Sequence, residues 1–268
     1  VCANSLIGLP PRKNEQMFFN IEDEASITKL RKLRDEYFVS YGKKKKRIES
    51  EFLAIQKEMR QFYLKQISRK VQKNLFGQEI KAKDKEAPSV TKMLAQWNPF
   101  ADEPCDWFDP EWMFGVRGGF DMVIANPPYV SATSLNVKQK ADFKKIFNTA
   151  KGRIDTYGLF TEKAITLLNK DGCISYIVPN KFLTNLQFKL LRKFILETCF
   201  VIALAYPKET VFEAAAVNNI IFILQKRKMY KTNKIRILEL DQNIRLEKCN
   251  IEQDIFKNDT NYTFLLSF

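Results

Sequence analysis

The chain has 268 residues and a formal charge of +13, so one domain with a full core plus an excursion is expected, facing a polyanionic partner with nucleic acid first. The plain alternative is a generally basic surface. Histidine is absent and Cys2, Cys105, Cys173, Cys199 and Cys249 share no metal-ligand spacing, so no metal site is expected. An odd, scattered set of thiols reads as reduced, and no apolar run is long enough to span a bilayer; a cytoplasmic protein that meets no membrane is expected.

Residues 1–20 read as the end of an upstream sheet strand and its loop. The stretch from Val1 to Pro10 is an apolar strand end followed by Asn4-Ser5 and then Gly8 and Pro10. It resembles the middle of a sheet, which makes the chain look like a piece of a longer protein. Residues 21–80 read as a helical-hairpin insertion. Ile27, Leu30, Leu33 and Tyr37 keep a helical spacing, and Ile48, Phe52, Ile55, Met59, Phe62, Tyr63, Ile67, Val71 and Leu75 do so again after Gly42. The run Lys43–Arg47 reads either as a clamp on DNA phosphates or as a solvated helix start. Residues 77–99 are polar and charged and read as a loop. Across 81–117 the aromatics Trp97, Phe100, Trp107, Phe108, Trp112 and Phe114 crowd together. They are expected to plug this loop onto the core, with base stacking as the other use.

Residues 118–245 carry the chemistry. Met122 to Ala125 is a short apolar run of the kind that makes a strand buried on both faces. Asn126-Pro127-Pro128-Tyr129 stops it abruptly, because each proline fixes its own φ, lacks an N–H and pushes the preceding residue into an extended conformation. The predicted result is a rigid tip at the carboxyl end of a strand, where open α/β sheets bind ligands. An exocyclic amine is a poor nucleophile because its lone pair is delocalised. Two acceptors taking both of its hydrogens pull the nitrogen toward sp³, and the Asn126 side-chain oxygen and the Pro127 carbonyl are placed to do so. Tyr129 offers a face for a planar group.

Downstream, Val137 to Phe147 reads as a basic amphipathic helix, Asp155 to Leu168 as a helix with Asp155 as N-cap, and Cys173 to Val178 as a buried strand. Phe182 to Leu196 reads as a helix with Arg192 and Lys193 on its polar side. Phe200 to Tyr206, Val217 to Leu224 and Lys234 to Leu240 read as strands, the last two as an antiparallel pair closing one edge. Residues 246–268 read as the start of a downstream region.

Asn126-Pro127-Pro128-Tyr129 after a buried strand is similar to the catalytic motif of S-adenosylmethionine-dependent amino-methyltransferases. The resemblance covers most of 118–245 and is nearest to DNA adenine-N6 methyltransferases of the Thermus type and to type IIG restriction-modification enzymes. Asp155 to Phe160 with Glu162-Lys163-Ala164, Gly172 to Pro179 with Lys181-Phe182-Leu183, and Val211-Phe212-Glu213 with Val217-Asn218-Asn219 carry it further. It implies a Rossmann-like α/β methyltransferase sheet, partial because the N-terminal cofactor-binding strands are lacking, with the hairpin as an insertion. The implied cofactor is S-adenosyl-L-methionine, contacted by Asn4, Asn126 and Phe160. The implied substrate is double-stranded DNA, with an adenine flipped out and sandwiched between Tyr129 and Phe212. For Asn4 a turn-forming role, and for Phe160 and Phe212 core packing, stay open.

The family's Gly-rich cofactor loop has no counterpart here, since Gly118-Gly119 lies just before the strand. The ribose-binding acid is missing too, so activity of this chain by itself is in question. The resemblance places a specificity domain or subunit and a nuclease domain outside the chain. Glutamine-N5 and RNA guanine-N2 methyltransferases share related motifs, and an inactive DNA-binding scaffold is the non-enzymatic alternative.

Overall fold

The computed structural model describes residues 3–8, 21–74, 90–101, 103–151, 154–208, 218–227, 233–241 and 244–265. The chain divides into two compact units, Val1–Arg117 and Gly118–Phe268.

The first unit is helical. Helix α1 (Ile21–Phe38) and α2 (Gly42–Asn74) pack on each other across a turn in which Gly42 takes a φ of 56°, open to glycine without strain. Ile27, Leu30 and Leu33 from α1 meet Ile48, Phe52, Ile55 and Met59 from α2 in a shared core. Trp97, Trp107 and Trp112 complete that core, with Trp97 edge-on to both Phe52 and Trp107. The aromatic segment therefore plugs into the hairpin of its own unit. Part of the expected loop at 77–99 is helical instead: α3 (Val90–Gln96) buries Val90 and Leu94 against α2, an apolar spacing hidden among polar neighbours.

The second unit is a six-stranded mixed sheet with helices, the α/β class expected. Its strands are β1 (Phe120–Ala125), β2 (Leu168–Pro179), β3 (Cys199–Pro207), β4 (Asn219–Lys226), β5 (Lys234–Asp241) and β6 (Ile244–Glu252), in spatial order β1-β2-β4-β3-β5-β6. Strands β1 and β2 run parallel, as do β3 and β5, while β4 lies antiparallel between β2 and β3. Hence β4 and β5 are not the antiparallel pair expected at one edge; β5 pairs with β6 there. With β4 set between β2 and β3, its face carrying Ile220, Phe222 and Leu224 is buried at 0–1% exposure, while Ile221 and Ile223 on the opposite face are half-buried.

Two more expectations are corrected. Strand β1 is not buried on both faces: it is the sheet's outer strand, and Met122 and Ile124 are 60% and 70% exposed. Its alternate residues Val123 and Ala125 pack on the main core, while nothing among the described residues covers the face of Met122 and Ile124; an apolar run signals two covered faces only where elements pack over both. The boundary expected at residue 245 falls inside β6. Beyond it, α8 (Asp254–Asn258) and the following segment send Phe256 and Phe264 into the main core, where their rings lie 4.8 Å apart.

Between β1 and β2 run α5 (Val137–Ile146) and α6 (Thr156–Leu167); α7 (Lys189–Thr198) links β2 to β3. Gly119 enters β1 at a φ of 103°, and a Cβ there would meet Asn169 N at 2.6 Å. Only glycine lets the start of β1 lie this close to the start of β2.

Candidate active site

Strands β1, β2, β3 and β5 point the same way, so their carboxyl ends share one edge of the sheet, and the motif Asn126 to Tyr129 stands at that edge beyond β1. Pro127 is buried; Asn126 and Pro128 are exposed; Tyr129 is half-buried against the main core.

Four hydrogen bonds hold the tip. Thr156, first residue of α6, donates from its hydroxyl to the Pro128 carbonyl at 2.5 Å and accepts from the Val130 N–H at 3.0 Å. Its own N–H donates to the Val130 carbonyl at 3.0 Å. The Tyr129 hydroxyl donates to the Ile177 carbonyl of β2 at 3.0 Å, and its ring stands edge-on to Tyr157 at 6.1 Å. Burial raises the Tyr129 hydroxyl above its ordinary pKa, so it stays a neutral donor through the physiological range.

The groups left over matter as much. Neither the Asn126 side chain nor the Pro127 carbonyl has a hydrogen-bond partner among the described residues, while the next carbonyl along is tied. Two acceptors on adjacent residues thus stand unengaged at the rigid end of a strand. Such a pair can receive both hydrogens of one amine.

The surroundings are ordered by polar groups, two of them buried, whose partners the sequence did not disclose. Glu162 of α6 is 3% exposed and accepts from the N–H groups of Asn148 and Thr149, each at 2.9 Å. Asp155 stands at the N-cap position with extended backbone but makes no capping bond; its carboxylate accepts instead from Gln187 at 2.7 Å. Arg192, expected on a polar helix face, is fully buried. It donates to the carbonyls of Phe182, Asn185, Asn261 and Tyr262, and so joins the turn after β2 to the segment after α8. Burial lowers its pKa, opposed by the nearby Asp259 carboxylate. The only advance signal for Thr156 was a hydroxyl at a helix start, which ordinarily means a cap.

The remaining predicted residues lie on other elements or outside the described residues. Phe160 lies on α6, half-buried against the main core. Asn4 is in the first unit, where its side chain accepts from the Leu6 N–H at 3.2 Å, an Asx turn. Phe212 lies outside the described residues.

A model of the Eco57I restriction-modification methylase family matches residues 20–212, more than half of the chain. The chain belongs to this family. It is 30% identical over 111 residues to the type II restriction enzyme and methyltransferase RM.Eco57I of Escherichia coli, covering 40% of this chain and 11% of that one. It is 36% identical over 102 residues to the type II methyltransferase M.TthHB8I of Thermus thermophilus, covering 32% and 24%. The chain thus spans less than a quarter of the length of these relatives. Among solved structures it is similar to the type IIG restriction endonuclease BpuSI, at 20% identity and a TM-score of 0.41 over 54% of this chain and 20% of that one.

The family's cofactor is S-adenosyl-L-methionine, and the site can be tested against it. The exposed Asn126 amide, without a partner among the described residues, leaves a polar group that such a molecule can meet, while Phe160 is half-buried against the main core. Among the described residues no group of three or more acids or cysteines could hold a metal.

Proposed function

We propose that this chain carries the amine-activating part of a site-specific DNA methyltransferase that modifies adenine N6 within a restriction-modification system. The observation that carries this reading is the pair of unengaged acceptors, Asn126 and the Pro127 carbonyl, beside a carbonyl and a tyrosine that are both tied down. In this reading S-adenosyl-L-methionine, when bound, supplies the sulfonium methyl. The Asn126 oxygen and the Pro127 carbonyl accept the two N6 hydrogens of the adenine, which draws the nitrogen out of conjugation and aims its lone pair. The Tyr129 ring, fixed at its hydroxyl, stacks on the base, with Phe212 proposed as the opposite face. Extruding a base costs a few kcal/mol, and each aromatic face returns about 1–3 kcal/mol. Transfer breaks the methyl–sulfur bond and leaves a neutral thioether, and the N6 ammonium so formed is acidic enough to lose one proton to solvent. No covalent intermediate and no strong base are needed, and alignment supplies much of the acceleration.

In the same reading the partner is double-stranded DNA, with specificity and nuclease functions outside this chain and a cytoplasmic location. Asn126 and Phe160 are the proposed cofactor contacts of the second unit. The divisions at 1–20, 21–80 and 81–117 are proposed as strand end, insertion and packing segment, and the second unit, Gly118–Phe268, as the catalytic half-domain.

The test is product analysis by mass spectrometry after incubation with DNA and isotopically labelled cofactor. N6-methyladenine supports the reading. Methylated glutamine or N2-methylguanine would move the protein to a related amino-methyltransferase, and no methylated product with intact DNA binding would leave the scaffold.

A further inference from the structure

We propose that Thr156 is the positioning residue of the catalytic tip, selecting which carbonyl of the Pro-Pro pair is offered to the substrate amine. Its catalytic consequence rests on the methyltransferase reading above; its structural consequence rests on geometry alone.

The two prolines fix φ at 127 and 128 through their rings. They leave ψ of Pro128 and both torsions of Tyr129 undetermined. Those are the torsions that Thr156 holds. Its hydroxyl binds the carbonyl on one side of Tyr129, at 2.5 Å, and the N–H on the other side, at 3.0 Å. The backbone N–H of Thr156 adds a third bond, to the Val130 carbonyl. With those peptide planes set, the Tyr129 hydroxyl reaches the Ile177 carbonyl and fixes the ring.

One consequence is selection. With the Pro128 carbonyl taken by Thr156, the Pro127 carbonyl is the acceptor left beside Asn126. Only a side-chain atom that donates and accepts at once can bridge these two groups, and at this distance that means a hydroxyl. The site is sheltered, Thr156 being 6% exposed, so water does not substitute readily for the lost bonds. The anchor is itself fixed. Asp155 is bonded to Gln187 and bridged to Ser131, and Asn148 and Thr149 are bonded to Glu162 of the same helix as Thr156.

The experiment compares Thr156→Val, which keeps shape and loses the hydroxyl, with Thr156→Ser, which keeps the hydroxyl, in the full-length protein. Thr156→Val is expected to lower kcat by about ten- to a hundredfold with KM for DNA and cofactor nearly unchanged, since a misplaced reacting geometry acts on the chemical step. Thr156→Ser is expected to restore kcat to within about threefold of the parent. Hydrogen exchange read by mass spectrometry on a peptide spanning Tyr129 and Val130 is expected to be about tenfold faster in the valine variant and parental in the serine variant. Should Thr156→Val fail to fold, Thr156→Cys, with its weakly bonding thiol, gives the same direction at smaller size. Unchanged exchange in the valine variant overturns the clamp whatever the activity. A serine variant as impaired as valine overturns it as well. A parent that methylates nothing while exchange still responds to Thr156→Val refutes the methyltransferase reading and supports the clamp.

Discussion

Both units hold irregular chain with buried polar side chains from helices, but to different ends. In the first unit Gln56 of α2 is 2% exposed and donates to the carbonyls of Leu94 and Trp97, while Arg60 reaches the Ala95 carbonyl and Arg34 the Glu111 carbonyl. Each of these bonds presses an aromatic-rich segment onto the hairpin. In the second unit Arg192, Glu162 and Thr156 do the same service for the turns around the sheet's carboxyl edge. There the bonding stops short, and among the described residues Asn126 and the Pro127 carbonyl are left without partners. A scaffold satisfies its polar groups; a site leaves selected ones for a ligand.

That contrast is broken most severely at Asn126. Asn126→Ala is expected to lower kcat about 10²–10³-fold, the usual cost of removing a preorganised polar partner of the transition state. The thermal midpoint should not move, because the side chain is exposed and unbonded; a large drop in the midpoint would make Asn126 a structural residue. Arg192→Met is expected to do the reverse. It strands four carbonyls at a fully buried position and should cost about 3 kcal/mol or more in urea unfolding. Gln56→Leu leaves two carbonyls unpaired and should cost about 2 kcal/mol. It would be read as faster hydrogen exchange across α3, and unchanged exchange there would mean that Gln56 is not a clamp.

The smallest effect is electrostatic and belongs to the second unit. Burial pushes the Tyr176 hydroxyl up to about 12 and raises those of Tyr157, Tyr206 and Tyr129. A raised folded pKa means stability that is intact below about pH 10, the unfolded value, and lost as pH climbs toward the folded value. Urea unfolding should therefore be flat from pH 8 to 9 and weaken above pH 10. Tyr176→Phe should remove one group's share of that slope, about 1.4 kcal/mol per pH unit. An unaltered slope would place Tyr176 in contact with solvent.

What could be read in advance follows the range of the interaction. The tip was legible because proline acts on its own φ and on its neighbour's conformation. The α1–α2 hairpin was legible because helical spacing is a property of nearby residues. The place of β4 between β2 and β3 was not, since strand order is decided by partners far along the chain. Thr156 escaped notice for the same reason: its partners lie 26 and 28 residues away, and nothing local distinguishes it from a capping threonine. Arg192 was misjudged because a cation on a helix is ordinarily solvated, and the four carbonyls that receive it come from two distant segments.

The exposed outer side of β1 has a practical consequence for anyone handling this chain. An outermost strand presents unpaired N–H and C=O groups, and here Met122 and Ile124 add apolar surface beside them. Against that, a charge of +13 makes two copies repel one another. Added salt shortens the reach of that repulsion, to about 8 Å at physiological ionic strength. Salt also weakens any grip on a phosphate backbone. Raising ionic strength therefore weakens that repulsion along with any phosphate contact, and light scattering across a salt series is expected to show association growing with salt.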